Sequence, residues 1–220
     1  MSQILPKLKL LPAGQYRGVN EKDPIRYYYW PVFGTLYRRR VELALAECRG
    51  GDRILEIGFG TGLTFLNLAE MYREIHGLDL TADVPQVKSV FDALGLKTFL
   101  QNGNVLNMPY EDGYFDTVLL ISILEHLKPE EQSQAFAEIK RVLKPGGQVV
   151  YGVPVERPLM VFLFRVLGHD IRQEHFSTEK QVAATAAAVL HKVRIVEMKS
   201  MLPFLGKVYE VGHFVKTGRS

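Results

Sequence analysis

Hydrophobic residues along the chain follow two alternating patterns. Short apolar runs bounded by glycine or polar residues are typical of buried strands, and residues 115–122 (FDTVLLIS) are apolar nearly throughout, as in a strand covered on both faces. Between these runs, apolar residues recur at the spacing of a helix face. The pattern predicts strands at 53–57, 74–80, 98–101, 115–122, 148–153, 193–201 and 209–216. It predicts helices at 63–72, 85–94, 129–143 and 178–190, with a turn at 144–147 that ends the third helix.

The order of these elements predicts an α/β fold with a Rossmann-like, doubly wound sheet. Strands that alternate with helices form parallel sheets with right-handed crossovers. The last two strands have no helix between them, which indicates an antiparallel C-terminal hairpin and hence a mixed, mostly parallel sheet. Ligands of such sheets bind beyond the carboxyl ends of the strands, where the strand order reverses. We therefore expect one domain of 220 residues with its site at that edge.

Composition and charge are those of an ordinary soluble domain. The chain is 47% hydrophobic and 23% charged, with a formal net charge of +3. Its single cysteine, Cys48, excludes an internal disulfide and a multi-cysteine metal site, and it fits a cytoplasmic location. We expect no secretion signal and no apolar stretch long enough to cross a membrane. The basic run RRR at 38–40 is interpreted as a solvated helix face rather than a patch for nucleic acid.

A glycine-rich segment, EIGFGTG at 56–62, begins at the end of the first predicted strand. Its glycines allow the backbone to approach a ligand closely. A dinucleotide-binding loop would have its third glycine at position 63, where this chain has Leu63, and a carboxylate at Glu56 would repel a pyrophosphate. Glu56 instead suits a ligand with a cationic end, and S-adenosylmethionine, which carries an ammonium and a sulfonium, is such a ligand. Dinucleotide binding and a turn whose glycines only make it tight are the alternatives.

Another acid, Asp79, comes near the end of the second predicted strand. A carboxylate at this position accepts hydrogen bonds from the two ribose hydroxyls of a nucleoside. The alternative is a structural cap, because aspartate is common at strand ends. Together with the glycine loop, Asp79 favours a ligand that contains a nucleoside.

The stretch 52–153 resembles the class I methyltransferases, particularly the branch of the ubiquinone and menaquinone C-methyltransferases. Four segments carry the resemblance: LEIGFGTG, GLDL, GNVLNMPYEDGYFDTVLLISILEHL and RVLKPGG. It implies methyl transfer with S-adenosylmethionine as cofactor, Asn104 at the adenine amino edge, the Val105 amide at the ring, and Ser122 at the methionine portion. The expected cofactor contacts are Glu56, Gly58, Gly60, Thr61, Gly62, Asp79, Leu80, Asn104, Val105 and Ser122. Asn104 could alternatively be only a turn residue, and Ser122 a helix N-cap.

Three polar residues are candidate general bases. Glu125 and His126 follow the fourth predicted strand, and His175 precedes the last helix. Methyl transfer needs a base only if the acceptor must lose a proton, and each residue has a structural role as its alternative. No spaced pattern of histidines and acids indicates a metal.

The parts outside the resemblance are expected to select the acceptor. We divide the domain into an N-terminal cap (1–50), a cofactor-binding core (52–153), a lid-like insert (154–177), and a final helix with two strands (178–220). The aromatic segment 26–33 and the apolar insert segment 156–165 favour a small apolar or aromatic acceptor, such as a quinone precursor, phenol or lipid. Ordinary core packing is the alternative for both segments, and weak membrane-surface contact is a further one for 159–167.

Two other classes of protein compete with a small-molecule methyltransferase. One is a non-catalytic protein of the same fold, which the intact set of cofactor residues disfavours. The other is a nicotinamide-dependent oxidoreductase, which Glu56 and Leu63 disfavour. A nucleic-acid methyltransferase is not expected, because no strongly basic face and no N-P-P-Y-type motif are present.

Overall fold

The computed structural model describes residues 5–18, 24–31, 33–155, 176–200 and 206–218. Its strands are β1 (Gly51–Ile57), β2 (Tyr72–Asp79), β3 (Thr98–Asn102), β4 (Phe115–Ile121), β5 (Leu143–Pro154), β6 (His191–Lys199) and β7 (Lys207–Val215). Its α-helices are α1 (Phe33–Glu47), α2 (Phe65–Leu68), α3 (Val84–Ala93), α4 (Pro129–Val142) and α5 (Glu179–Val189). Short 3-10 helices lie at Pro24–Tyr29 and Leu124–His126.

The described strands form one mixed sheet of seven strands in the order β3-β2-β1-β4-β5-β7-β6. The first five are parallel, whereas β7 is antiparallel to both β5 and β6. The predicted fold class, with its antiparallel C-terminal hairpin, is therefore confirmed. Because the chain order reverses between β1 and β4, the cleft for a ligand opens beyond the carboxyl ends of these two strands.

Helices cover the central strands on both faces. On one face, Val87 and Phe91 of α3 belong to a core that includes Ile54 of β1. On the other face, Phe136 and Ile139 of α4 belong to a second core. This double burial explains why the strand segments are nearly continuous in apolar residues.

Local signals set where the helices begin. Asp83 caps α3 by accepting a hydrogen bond from the Gln86 amide at 3.1 Å. Thr178 and Gln181 form a reciprocal capping box at the start of α5. Caps of this kind contribute about 0.5–2 kcal/mol each to the stability of the helix. They can therefore determine the first residue of a helix where the hydrophobic spacing does not.

One predicted element was wrong. The helix predicted at 63–72 is reduced to the four residues of α2, because Tyr72 pairs with Gly51 as the first residue of β2 and strand pairing overrides the local preference for a helix. The segment 144–147, predicted as a turn, lies at the start of β5 but bulges out of its register. Leu143 pairs with Phe115 and Gln148 pairs with Thr117, and Gly146 has a φ of +78°.

The lid-like insert falls almost entirely outside the described residues, together with His175 and the apolar segment 159–167. In the described parts of the chain, no helix has the length and apolar character needed to span a membrane.

Candidate functional site

The loop between β1 and α2 places its three glycines in the left-handed backbone region. Their φ angles are +72° at Gly58, +52° at Gly60 and +74° at Gly62. A Cβ at Gly58 would lie 2.1 Å from Cδ1 of Ile123, and one at Gly62 would lie 2.5 Å from the Phe91 ring. The backbone angles therefore require glycine at 58 and 62, and at Gly62 the buried ring of Phe91 adds a steric reason.

Asp79 joins the glycine loop to the end of β2. Its Oδ2 accepts a hydrogen bond from the Gly60 amide at 3.0 Å, and its Oδ1 accepts from the amides of Thr81 and Ala82 at 2.9 Å each. The structural role considered from the sequence is thus present. An ionised carboxylate has about four acceptor sites, so capacity for a further donor is left after these three bonds.

Glu56 is the second acid of the loop and is only 4% exposed. It accepts a hydrogen bond from the Thr64 hydroxyl. Burial raises the pKa of Glu56 to about 8, against the opposing effect of the Thr64 hydrogen bond, and the nearby Asp79 carboxylate raises it further. At neutral pH Glu56 consequently holds its proton mostly until a cation arrives. The carboxyl groups of Glu56 and Asp79 can accept hydrogen bonds from the ammonium of S-adenosylmethionine, and they disfavour a pyrophosphate.

The residues expected near adenine lie beside the end of β2. The Gly103 amide donates to the Asp79 carbonyl at 3.0 Å, which brings the segment 103–105 against that strand. Asn104 accepts a hydrogen bond from the Leu106 amide through its side chain at 2.9 Å, so its turn-forming role is present as well. Val105 is buried, whereas Leu80 is 68% exposed and gives the cleft an apolar side chain directly after Asp79.

Thr61, the remaining expected contact in the loop, lies between Gly60 and Gly62 and is buried. The structure therefore brings Glu56, the three glycines, Thr61 and Asp79 together in one loop and the adjoining strand end.

Ser122 is the one non-glycine residue with a positive φ, +57°, in the described ranges. Its amide donates to the Gly152 carbonyl at 2.8 Å, and its hydroxyl lies 3.1 Å from the hydroxyl of Tyr209. The helix-cap alternative is not realised, because Ile123 occupies the N-cap position of the following 3-10 helix. Such backbone strain costs of order 1–3 kcal/mol and is concentrated at functional sites.

The candidate bases differ in their surroundings. Glu125 is 3% exposed, and its carbonyl accepts a hydrogen bond from the Phe176 amide at 2.8 Å. His126, the next residue, is exposed. The buried position of Glu125 at the carboxyl end of β4 makes it the stronger of these two candidates.

Sequence reasoning missed Arg40 and Tyr209 as residues of the cleft. The interpretation of residues 38–40 as a solvated helix face holds for Arg39, which is exposed. It does not hold for the other two arginines: Arg38 donates a hydrogen bond to the Tyr28 carbonyl, and Arg40 lies over the Tyr209 ring. The signal in the sequence was helical spacing, since Arg40 shares a face of α1 with the buried Ala44 four residues later. Tyr209 carried no such signal, because its place depends on the insertion of β7 beside β5.

An open cleft of about 650 Å³ also lies at the opposite, amino-terminal edge of the sheet, lined by residues that include Tyr72, Arg73 and Lys97. It shares no residue with the glycine loop.

Comparisons with known proteins agree with this geometry. A family model described as "Methyltransferase domain" matches residues 55–151. An uncharacterized methyltransferase of Geobacillus sp. (strain WCH70) is 26% identical over 140 residues, which cover 59% of this chain and 65% of that protein. This chain thus spans just under two thirds of that relative's length.

Two solved structures share the fold at low sequence identity. Geranyl diphosphate methyltransferase in complex with GPP and sinefungin has a TM-score of 0.67 at 15% identity, covering 84% of this chain and 81% of that one. The cyclase SpnF has a TM-score of 0.67 at 19% identity, covering 82% of this chain and 81% of that one.

The fold, the acid-lined glycine loop and the matched domain define one class of protein. Residues 55–151 form a methyltransferase domain of the class I, S-adenosylmethionine-dependent kind, and S-adenosylmethionine is the cofactor that this match supports. The resemblance drawn from the sequence is thereby confirmed at the level of the family.

Proposed function

We propose that this chain transfers the methyl group of S-adenosylmethionine to a small apolar or aromatic acceptor. The observation that carries the proposal is the pair of acids, Glu56 and Asp79, on either side of a preformed glycine loop at the switch point of the sheet. Two carboxyl groups in one cleft favour a cationic ligand over a dinucleotide.

Each expected contact has a role in this proposal. Glu56 holds the ammonium, either directly or through a water molecule, and Asp79 accepts a hydrogen bond from the ribose at its remaining acceptor site. The apolar side chain of Leu80 covers the adenine ring, with Asn104 and the Val105 amide at its polar edge. Ser122 faces the methionine portion, and its strained backbone fixes the direction of its hydroxyl. Gly58, Gly60, Thr61 and Gly62 shape the loop around the ligand.

Alignment is the main contribution that the protein makes to the reaction. Bound S-adenosylmethionine supplies an already activated methyl group, and good alignment alone is worth up to about 7–11 kcal/mol. Glu125 is the residue placed to take a proton from the acceptor where one must leave, because it is buried just beyond β4. His126 and His175 are secondary candidates for that role.

Aromatic residues of the N-terminal cap support the proposal of an apolar or aromatic acceptor. Tyr28 is buried and meets the ring of Tyr37 edge-on at 5.5 Å, and Tyr27 meets Trp30 in the same way at 5.2 Å. We infer that these rings, which belong to α1 and to the segment 24–30 before it, form a wall beside the cofactor cleft. An apolar or aromatic acceptor, quinone-like or lipid-like, is the chemistry that such a wall binds best.

A second candidate function is supported by the likeness to the cyclase SpnF. That protein is named as a [4+2]-cyclase and not as a methyltransferase. A chain with this fold can therefore have a function other than methyl transfer, and a non-catalytic cofactor-binding protein is the second candidate.

Calorimetry followed by a transfer assay tests the proposal. The purified chain is titrated with S-adenosylmethionine, S-adenosylhomocysteine and NAD, and is then incubated with isotopically labelled S-adenosylmethionine and the small-molecule fraction of a cell extract. We expect binding of the first two ligands and incorporation of label into an apolar product. Binding of NAD alone would overturn the proposal, and cofactor binding without any labelled product would favour the second candidate.

The pKa of Glu56 predicts a pH dependence of cofactor binding. Its raised value of about 8 means that the carboxyl group is mostly protonated at pH 6 in the free protein, whereas the ammonium of the ligand favours the carboxylate. Binding must therefore release a proton, and affinity should rise about fivefold to tenfold from pH 6 to pH 7. Calorimetry in buffers of different ionisation enthalpy measures both the affinity and the released proton.

Glu56→Gln is the matched control for this effect. It keeps the size of the side chain and a hydrogen-bond partner for Thr64 but removes the titration, so its affinity should be weaker and flat over the same pH range. An equal rise with pH in the variant would assign the effect to another group.

A further inference from the structure

Arg40 is a charged residue that none of the expected cofactor contacts involves. Its guanidinium carbon lies 4.2 Å from the ring centroid of Tyr37 and 5.3 Å from that of Tyr209. The two aromatic rings hold the planar group in place through cation–π contacts. The Arg40 side chain is therefore held in place by residues of α1 and β7 and is not freely solvated.

The Nε of Arg40 is buried, and none of the described residues accepts a hydrogen bond from it. A buried donor without an acceptor costs free energy, and native structures leave such groups mostly where a ligand or water completes the bonding. The aromatic contacts stabilise the charge but accept no hydrogen bond in the plane of the guanidinium. The missing partner is an acceptor atom in that plane.

Tyr209 connects Arg40 to the cofactor side of the cleft. Its ring crosses Gly152 of β5, where an added Cβ would lie 2.5 Å from the Tyr209 hydroxyl. That hydroxyl lies 3.1 Å from Oγ of Ser122 at the end of β4. Arg40 is thus separated by a single aromatic side chain from the residue proposed to face the methionine portion, which is where an acceptor must lie.

The charges around Arg40 limit the kind of anion that fits. Burial by itself would lower the pKa of Arg40, but the hydroxyls of Tyr28, Tyr209 and Tyr37 and the Glu125 carboxyl group raise it, and the net direction is upward. The group stays cationic. Because the Glu125 carboxyl group already interacts with Arg40, an anion of low charge fits better here than the double charge of a phosphate.

We propose that Arg40 binds a carboxylate of the methyl acceptor, so that the acceptor is a small aromatic acid. Arginine suits this role because its planar fork pairs with both oxygens of a carboxylate. The inference rests on the proposed function, since it places the acceptor in the cofactor cleft.

Calorimetry with two probes of nearly equal shape tests this assignment. The chain is saturated with S-adenosylhomocysteine, whose own affinity is measured first, and is then titrated with benzoate and with its neutral counterpart benzamide. Benzoate should bind at least about tenfold more tightly than benzamide, as expected for charge-assisted hydrogen bonds to a guanidinium. Benzoate that binds no better than benzamide, or that gives no measurable binding, would overturn the proposal.

Three variants of α1 locate the effect. Arg40→Gln should abolish the preference for benzoate while leaving the affinity for S-adenosylhomocysteine within about twofold, and Arg40→Lys should keep part of the preference. Arg39→Gln, which removes an exposed charge one residue away, should behave like the unaltered chain. Equal loss of the preference in the Arg39 and Arg40 variants would contradict a specific contact.

The first titration separates the two proposals. Failure to bind S-adenosylhomocysteine at all would count against the proposed function. Normal binding of that ligand without any preference for benzoate would remove only the role of Arg40.

Discussion

Replacing Asp79 by alanine should weaken the binding of S-adenosylmethionine at least tenfold. One hydrogen bond from a ribose hydroxyl to the remaining acceptor site of this carboxylate is worth about 1.5–3 kcal/mol, and a tenfold change in affinity corresponds to about 1.4 kcal/mol. The variant also loses the contact between Oδ2 and the Gly60 amide, which loosens the glycine loop. Isothermal calorimetry on the folded variant measures the effect directly.

Asp83 provides the control for this substitution. It lies four residues further along, is also an aspartate, and caps α3 through the Gln86 amide. Asp83→Ala should lower the free energy of unfolding by about 1 kcal/mol without changing the affinity. An unchanged dissociation constant in Asp79→Ala would remove Asp79 from the site, and equal weakening in both variants would trace the effect to α3.

The fold class and the cofactor loop could be predicted from the sequence because their signals are local. The run at β4 is apolar enough to require cover on both faces, and three closely spaced glycines directly after β1 mark the end of that strand. The acid at Glu56 carried the most chemical information, since it separates a cationic ligand from a pyrophosphate. Its raised pKa could not be read from the sequence, because it depends on burial by the surrounding fold.

The acceptor side could not be predicted because it is assembled from distant parts of the chain. Arg40 belongs to α1 and Tyr209 to β7, and the insertion of β7 between β5 and β6 brings them together. No spacing rule connects residues so far apart. The wrong helix at 63–72 has a related cause, since strand pairing at Tyr72 decided the local structure against the preference of the segment.

The double role of Asp79 changes how the sequence alternatives should be weighed. A structural cap and a ligand contact were considered as competing explanations, yet the three amide hydrogen bonds fix the very carboxylate that a ribose would need. The same holds at Ser122, where a hydrogen bond to Tyr209 restrains the hydroxyl that the cofactor would meet. Contacts within the protein prepare these groups for binding rather than argue against it.

Gly62→Ala should be the most destabilising of the substitutions considered, with a loss of about 2–5 kcal/mol in the free energy of unfolding. The φ of +74° costs a non-glycine residue about 1–2 kcal/mol. The added Cβ would also lie 2.5 Å from the ring of Phe91 and 2.7 Å from that of Phe65, and overpacking of this kind costs about 1–3 kcal/mol. Both rings are fully buried and have little room to move.

Gly95→Ala separates the two contributions. Gly95 follows α3, has a nearly equal φ of +72°, and has no atom within 4 Å of an added Cβ. Its substitution should therefore cost about 1–2 kcal/mol, the backbone part alone. Urea denaturation of both variants gives the difference, and equal losses would show that Phe65 and Phe91 yield to the new methyl group. In that case the glycine at 62 would be required by its backbone angle alone. The rings of Phe65 and Phe91 would then be able to move despite their burial.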